Sequence, residues 1–470
     1  YLVFGNMTLF HLIAGWIGYL LICLLGLILI AFLCFCLYIK YIHLKYDHIP
    51  GPPRDSFIFG HLPTIQREMS NDRVVHDKFL EWSETYGPVY RINGMHVVML
   101  CVTCPETTKE VLMSPKYPKD SLFYKRLFNL FGQRFLGSGL VTAQNHDEWY
   151  KQRRIMDPAF SSLHLRGQMG AFNERAERLM DKLADMADTN TAANMQHMFN
   201  CVTLDVITKV AFGVELDLLN KSDSPFPNAI EMCLKGIVHS VRDFTFQFYP
   251  KNKKFINEVK KSCQLLRSTG RQWINERKMA VQNGEDVPKD ILTQILKTAG
   301  KGMLYAFVLI LTGQETTANQ LAFAVMELGR LPEILTKLYP TAPGTSRFIP
   351  NDIVINGIPI PAGVTCVFNS YVCGRLDKFF EDPLKFDPER FHPDAAKPYY
   401  CYYPFALGPR SCLGQTFAQM EAKVVMAKLL QRFDFSLLPG QSFDVLDTGS
   451  LRPKSGVVCN IRHRGQTPAA

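Results

Sequence analysis

The sequence predicts a mainly α-helical protein with small β-sheets, held to a membrane by one N-terminal helix. Three observations carry this expectation. Residues Leu12 to Ile39 hold no charged side chain, a run longer than the ~20 apolar residues that a bilayer-crossing helix needs. Further on, apolar residues recur at helical spacing over long stretches, whereas strand-like alternation is confined to two short hairpins. No alternating strand and helix pattern suggests a doubly wound sheet.

Composition sets the outer bounds. With 470 residues, 47% of them apolar and 20% charged, the chain is long enough for a large core. The net charge of +9 suits an anionic membrane surface or an acidic partner, and equally a plain solvated basic surface. No interleaved aromatic and basic array argues for nucleic acid. Thirteen cysteines without regular spacing do not read as a disulfide framework, so a reducing, cytosol-facing location fits. Cys101 and Cys104 have the spacing of a redox or zinc half-site, but no second pair completes it and the run around them is strand-like.

The apolar run is too long for a cleavable signal peptide and lacks a small-residue cleavage site. Lys40 and Lys45 follow it and no Lys or Arg precedes it, so the positive-inside rule puts the bulk of the chain in the cytosol. Residues 1–49 are thus the expected anchor and 50–470 the globular domain, joined by a stiff hinge at Pro50-Gly51-Pro52-Pro53. Val89 to Ile92 and Val97 to Val102 read as strands about an Asn93-Gly94 turn. Phe172, Ala176, Leu179, Leu183 and Met186 form a core-facing helical stripe. Met195 to Phe212 is apolar on most faces and reads as a buried helix. Five lysines between Lys251 and Lys261 read as a solvated face, with a membrane or partner contact as the other reading. Ile353 to Ile360 is a second hairpin about Asn356-Gly357, and Phe417, Met420, Val424 and Ala427 mark a helix beginning near Gln415.

Two segments carry chemistry. Phe405 to Gly414 places Cys412 in a Gly-punctuated loop just before a helix, where backbone N–H groups and the helix dipole favour a thiolate, the metal-binding form. The second is Met303 to Gly329, a long apolar helix interrupted by Thr312-Gly313-Gln314-Glu315-Thr316-Thr317. A polar cluster in a buried helix is costly unless hydrogen-bonded; the threonines can bond back to carbonyls one turn earlier.

Phe405, Gly408, Arg410, Cys412 and Gly414 fit Phe-x-x-Gly-x-Arg-x-Cys-x-Gly, and this stretch resembles the haem-binding loop of the cytochrome P-450 family. The resemblance implies that Cys412 is the axial thiolate to the iron of haem b (iron protoporphyrin IX). It implies that Arg410 pairs with a propionate, that Gly408 and Gly414 let backbone approach the porphyrin, and that Phe405 shields the sulfur. Residues 312–317 resemble the family's oxygen-activating segment, in which Gly313 leaves room over the haem and Thr316 and Glu315 bind oxygen and relay protons. Trp149 and Arg153 match Trp-x-x-x-Arg, a propionate-binding pair, and Arg347 matches a further propionate position.

The resemblance also implies a Glu-x-x-Arg helix directly before a Leu-Tyr-Pro stretch, its ion pair meeting Arg390 of Pro388-Glu389-Arg390-Phe391. Here Leu338-Tyr339-Pro340 follows Leu335-Thr336-Lys337, and Glu327-Leu328-Gly329-Arg330 only continues the Thr316 helix. A helix-sized segment is therefore expected to be missing before 338, and a few residues before Met303. Arg390 would then lack its carboxylate, at a cost on the order of 3–5 kcal/mol if buried. Tyr at position 1 fits a fragmentary or mis-spliced chain, with a shortened isoform as the alternative.

Over nearly the whole length the chain is most similar to the branch that hydroxylates the cholesterol side chain at C24. This implies a sterol or similar lipid substrate, O2, NADPH through NADPH–cytochrome P-450 reductase, and a single-pass place in the endoplasmic reticulum membrane with the catalytic domain in the cytosol. Tyr117 to Leu140 is the expected substrate wall. Two other readings stay open: an inactive, haem-poor membrane protein from a truncated or mis-spliced transcript, and a haem sensor, which leaves Glu315 and Thr316 unexplained.

Overall fold

The uncharged N-terminal run forms a helix, but that helix does not end where the lipid would. In a computed structural model, describing residues 2–221, 224–243, 245–299, 307–330, 341–385, 387–392, 394–395 and 398–465, α1 spans Leu2–Tyr46 unbroken. Its large apolar side chains from Ile13 to Leu33 are exposed, and from Ile13 on it is long and apolar enough to cross a membrane. The last turns are different. Ile39, Ile42, His43 and Tyr46 are buried, as is Ile49 beyond them, and Ile42, Tyr46 and Ile49 join Val89, Val98 and Leu100 in one apolar cluster.

The expected hinge is therefore a docked segment. The Pro50 carbonyl accepts from the Arg91 amide at 2.8 Å and the Pro52 carbonyl from His61 Nε2 at 3.0 Å. Asp47 pairs with both Arg54 and Arg91. A Cβ at Gly51 would lie 2.7 Å from the Arg91 carbonyl oxygen, so glycine is what lets this strap lie flat on the first strand. The prolines end the helix as expected, yet the anchor and the domain are packed together.

Strands β1 (Val89–Gly94) and β2 (Val97–Val102) pair antiparallel. The turn sits at Met95-His96, with Met95 at φ +54°, and not at Asn93-Gly94. Asn93 is drawn into the strand because its amide donates to His61 Nδ1 at 2.9 Å and its side chain accepts from Arg91. β3 (Gly344–Ile349), the hairpin β4 (Ile353–Ile355) and β5 (Ile358–Ile360), and β6 (Val364–Asn369) follow. Asn356 and Gly357 both take positive φ, so the second hairpin turns where expected. The main sheet runs β1-β2-β6-β3, with β2 and β6 parallel and the other pairs antiparallel.

The helices that carry the site are α2 (Pro105–Met113), α3 (Ser121–Phe128), α4 (His146–Met156), α5 (Met169–Asp188), α6 (Met195–Phe212), α7 (Phe226–Arg242), α8 (Lys253–Gln282), α9 (Phe307–Arg330) and α10 (Gln415–Arg432). Phe172, Ala176, Leu179 and Leu183 of α5 are buried and Met186 is half-buried, as the stripe requires. α6 is buried on nearly every side and lies along α9, also buried from Gln314 to Leu328 apart from Thr316, Gln320 and Ala324. The lysines at the start of α8 are solvated, with Lys260 half-buried. All thirteen cysteines are free. Burial pushes the Cys101 thiol up to about 12, leaving a packed, inert residue.

The docked end of α1 yields the first prediction. A chain starting at Leu33 should unfold, in detergent, at the temperature of the full chain. One starting at Gly51 loses Ile39, Ile42, Tyr46 and Ile49, apolar side chains whose burial contributes roughly 1.5–3 kcal/mol each, and should unfold well below it. Equal midpoints in a thermal melt would show that this end of α1 adds no packing.

Candidate functional site

The cysteine loop is closed by its own backbone. The Cys412 amide donates to the Phe405 carbonyl at 2.9 Å and the Ser411 amide to that of Gly408 at 3.0 Å. Gly408 has φ +69°, and a Cβ there would lie 2.2 Å from the Leu112 carbonyl oxygen. Gly408 thus seats the loop on the end of α2. Gly414 begins α10, and its backbone hydrogen-bonds the Cys412 thiol.

Cys412 is open to solvent yet surrounded by protein on most sides, as a group at the bottom of a hollow is. Desolvation pushes its thiol up, while the Gly414 backbone, Arg153 and Lys119 pull the other way. The expected preference for thiolate is thus outweighed by burial in the chain alone.

Four cations surround this hollow: Lys119, Arg153, Arg347 and Arg410 act on Cys412 or on one another. Arg153 and Trp149 share a face of α4 as their spacing predicts. Arg153 Nη1 donates to the Ser411 carbonyl at 2.7 Å, and its Nε meets Asp157 at 2.6 Å. Arg410 stacks over the Trp149 ring at 4.1 Å and donates to the Ala143 carbonyl at 2.8 Å. Burial and Arg347 lower its guanidinium to about 10. Arg347 of β3, 1% exposed, bonds Thr345 and the Ser346 carbonyl and leaves Nη2 without a partner. Lys119, which the sequence reading missed, donates to the Val141 carbonyl at 2.7 Å and lies 4.4 Å from the Tyr124 ring centre. Burial, then Arg347 and Arg410, hold its ammonium well below the usual value. Asp120, the cap of α3, partly offsets Lys119 and Arg347.

The α9 cluster divides by face. Gln314 Nε2 donates to Asn200 Oδ1 at 2.8 Å, and Thr317 bonds back to the Gly313 carbonyl at 3.1 Å. A Cβ on Gly313 would meet Ile207 Cδ1 at 3.3 Å, so this glycine packs against α6. The side chain of Thr312 lies outside the described residues. Thr316 is half-buried. Glu315 Oε1 accepts from Ser450 at 2.8 Å and Thr448 at 3.4 Å, while Oε2 is buried without a partner. Desolvation raises this carboxyl to about 7, poised to exchange a proton near neutrality.

Arg390 departs from expectation. It is half-buried and donates to the carbonyls of Glu381, Asp382 and Lys385, the last two at 2.7 and 3.3 Å. Backbone oxygens hold it in place of a Glu-x-x-Arg carboxylate, so no unpaired buried charge arises. Residues 331–340, where that helix was sought, lie outside the described residues.

The model of the family described as Cytochrome P450 matches residues 50–339 and 337–460. The chain belongs to the cytochrome P450 family. Relatives include human (Homo sapiens) cytochrome P450 3A7, 26% identical over 447 residues, covering 82% of this chain and 85% of the relative. Cytochrome P450 3A41 of Mus musculus is 26% identical over 480 residues, covering 89% and 92%. Cytochrome P450 4d2 of Drosophila melanogaster is 23% identical over 483 residues, covering 88% and 94%. Membership makes the protein a haem-binding oxidoreductase of the monooxygenase class, with O2, a redox partner and a lipophilic substrate.

The residues present fit such a group. A haem brings a metal for a sulfur ligand and two carboxylates for cations, and the hollow offers Cys412 with Lys119, Arg347 and Arg410 against the one Asp120 carboxylate, Arg153 being paired with Asp157. The orphan Nη2 of Arg347 is an anion donor in waiting.

The seat of the loop is testable. Gly408→Ala forces a left-handed alanine, at about 1–2 kcal/mol, and drives its Cβ into α2. Denaturant unfolding should show a loss of at least that size. A midpoint equal to that of the unchanged chain would mean that the loop is not fixed on Leu112.

Proposed function

We propose that this chain is a sterol monooxygenase similar to cholesterol 24-hydroxylase, acting at the C24 position of the side chain. The observation that carries the chemical part is the group of cations around Cys412, with Arg347 buried and Lys119, Arg153 and Arg410 half-buried. The substrate part rests on the stretches His48 to Arg54, Asp290 to Ile295, Lys397 to Gln415, Phe417 to Phe433 and Leu451 to Lys454. Electrons come from NADPH through NADPH–cytochrome P450 reductase, and the anchor holds the protein in the endoplasmic reticulum membrane with its catalytic domain in the cytosol.

In this reading a bound haem supplies dioxygen binding and oxidising power. Cys412 holds its iron, and Trp149, Arg153, Arg347 and Arg410, with Lys119, hold its carboxylates. Phe405, Gly408 and Gly414 keep the sulfur in its loop. Glu315 carries an exchangeable proton on a buried carboxyl, and Thr316 next to it offers a hydroxyl that orients the oxygen to be protonated. A shortened chain before residue 338 is part of the same reading, supported by the break in the family match at residues 337–339.

The carbon monoxide difference spectrum of the reduced, membrane-expressed protein tests this first. A Soret band at the position characteristic of thiolate-bound haem is expected, and Cys412→Ala should abolish it. Absence of the band in the unchanged chain would favour the inactive, haem-poor alternative. If the band is present, incubation with cholesterol and reductase should yield the 24-hydroxylated product. Thr316→Ala should lower the rate of product formation by about 10²-fold or more, the scale of a lost proton-transfer contribution, and lower product per NADPH with substrate still binding. Unchanged coupling would return Thr316 to a structural role.

A further inference from the structure

The acid of α9 is held from outside its own helix. Beyond strand β7 (Phe433–Leu437), β8 (Val445–Asp447) and β9 (Leu451–Pro453) form a hairpin whose turn, Thr448-Gly449-Ser450, lies against α9, with both hydroxyl residues buried. The polarity of the hydrogen bonds there is set from the far end. Gln196 Nε2 of α6 donates to Asn319 Oδ1 at 2.6 Å, and Asn319 Nδ2 donates to Ser450 Oγ at 2.8 Å. With its oxygen already accepting, the Ser450 hydroxyl gives its own proton to Glu315 Oε1 at 2.8 Å. Thr448 turns its hydroxyl to the same oxygen at 3.4 Å.

We propose that Ser450 is a positioning residue for proton delivery: by saturating Glu315 Oε1 it fixes the carboxyl so that the exchangeable proton resides on Oε2. The proposal rests on the reading of Glu315 as the proton-carrying acid. Oε2 is the oxygen that has no partner and is buried, so a proton there is not tied into the Ser450 chain and is free to leave. A carboxyl with neither oxygen committed would rotate and present the proton on either side.

The charged groups facing Glu315 do not decide its titration by themselves. Arg452 of β9 lowers it and Glu231 of α7 raises it, and these two pair with each other at 3.6 Å. The larger influences are burial, which favours the neutral acid, and the Ser450 hydroxyl, which favours the carboxylate. Loss of the hydroxyl therefore moves the titration upward. A hydrogen bond to a charged group is among the stronger ones, and its loss reads out directly as a displaced titration midpoint. The expected shift is about one unit or more.

The test uses the full-length, haem-loaded protein in its resting state. The infrared carbonyl stretch of protonated Glu315 is identified as the band lost in Glu315→Gln and is followed against pH. Its midpoint, expected at about 7 in the unchanged protein, should rise by about one unit in Ser450→Ala and return in Ser450→Thr, which keeps the hydroxyl. The alkaline limb of product formed per NADPH should move with it. Ser450→Cys, a weaker donor of similar shape, should move the midpoint the same way and serves if the alanine variant does not fold. An unmoved midpoint in the alanine or cysteine variant overturns the role of Ser450 while leaving that of Glu315 intact. If Glu315→Gln removes no band and leaves coupling unchanged, the reading of Glu315 itself fails, and the positioning role with it.

Discussion

Positive charge gathered around one cysteine is the constraint on which the site depends. Arg347 is buried, Lys119 and Arg410 are half-buried, and the three repel one another, a costly arrangement unless an anion meets them. Structure from distant parts of the chain converges to hold it. β3 carries Arg347, the segment before α3 carries Lys119 and Asp120, and α4 supplies Trp149 as the face on which Arg410 lies. The Cys412 loop is pressed onto α2 through a glycine that no other residue could replace without moving backbone. A cofactor with a metal and two carboxylates answers both halves of this design at once.

The second constraint is a polar cluster in a buried helix. α9 satisfies it by sending each side chain to a different neighbour: Gln314 to α6, Thr317 to its own backbone, and Glu315 to the β8–β9 turn. Glu315 is the member left partly unsatisfied, with one oxygen bonded and one bare. That imbalance is tolerable for a neutral acid and unfavourable for a carboxylate, which is why its proton is held up to near-neutral pH.

Several features were legible from the chain. The apolar run, the stripe on α5, the buried α6 and the second hairpin follow from periodicity and turn chemistry, which are local. The Cys412 motif and the Trp149–Arg153 pair were legible because their spacing is also local. Features that depend on a distant partner were misjudged. Asn93-Gly94 has the composition of a turn, but His61 and Arg91 hold Asn93 in the strand. At Gly313 and Gly408 the sequence did not show that the missing Cβ atoms make room for Ile207 and the Leu112 carbonyl. Arg390 was expected to stand unpaired without a carboxylate, yet three backbone carbonyls suffice for a guanidinium with five donors.

By itself the sequence determined the long apolar N-terminal helix, the helical class, the loop that presents Cys412 before a helix and the polar cluster of Glu315 and Thr316 within an apolar one. Each is encoded in hydrophobicity or spacing within a few turns of chain. Only the tertiary structure decided that the anchor is docked on the first sheet, that Lys119 belongs to the cation ring, and that Ser450 holds Glu315. The last of these joins residues 135 positions apart and the second joins residues still more distant, and no local pattern records which distant atoms will meet when burial forces polar groups to find partners.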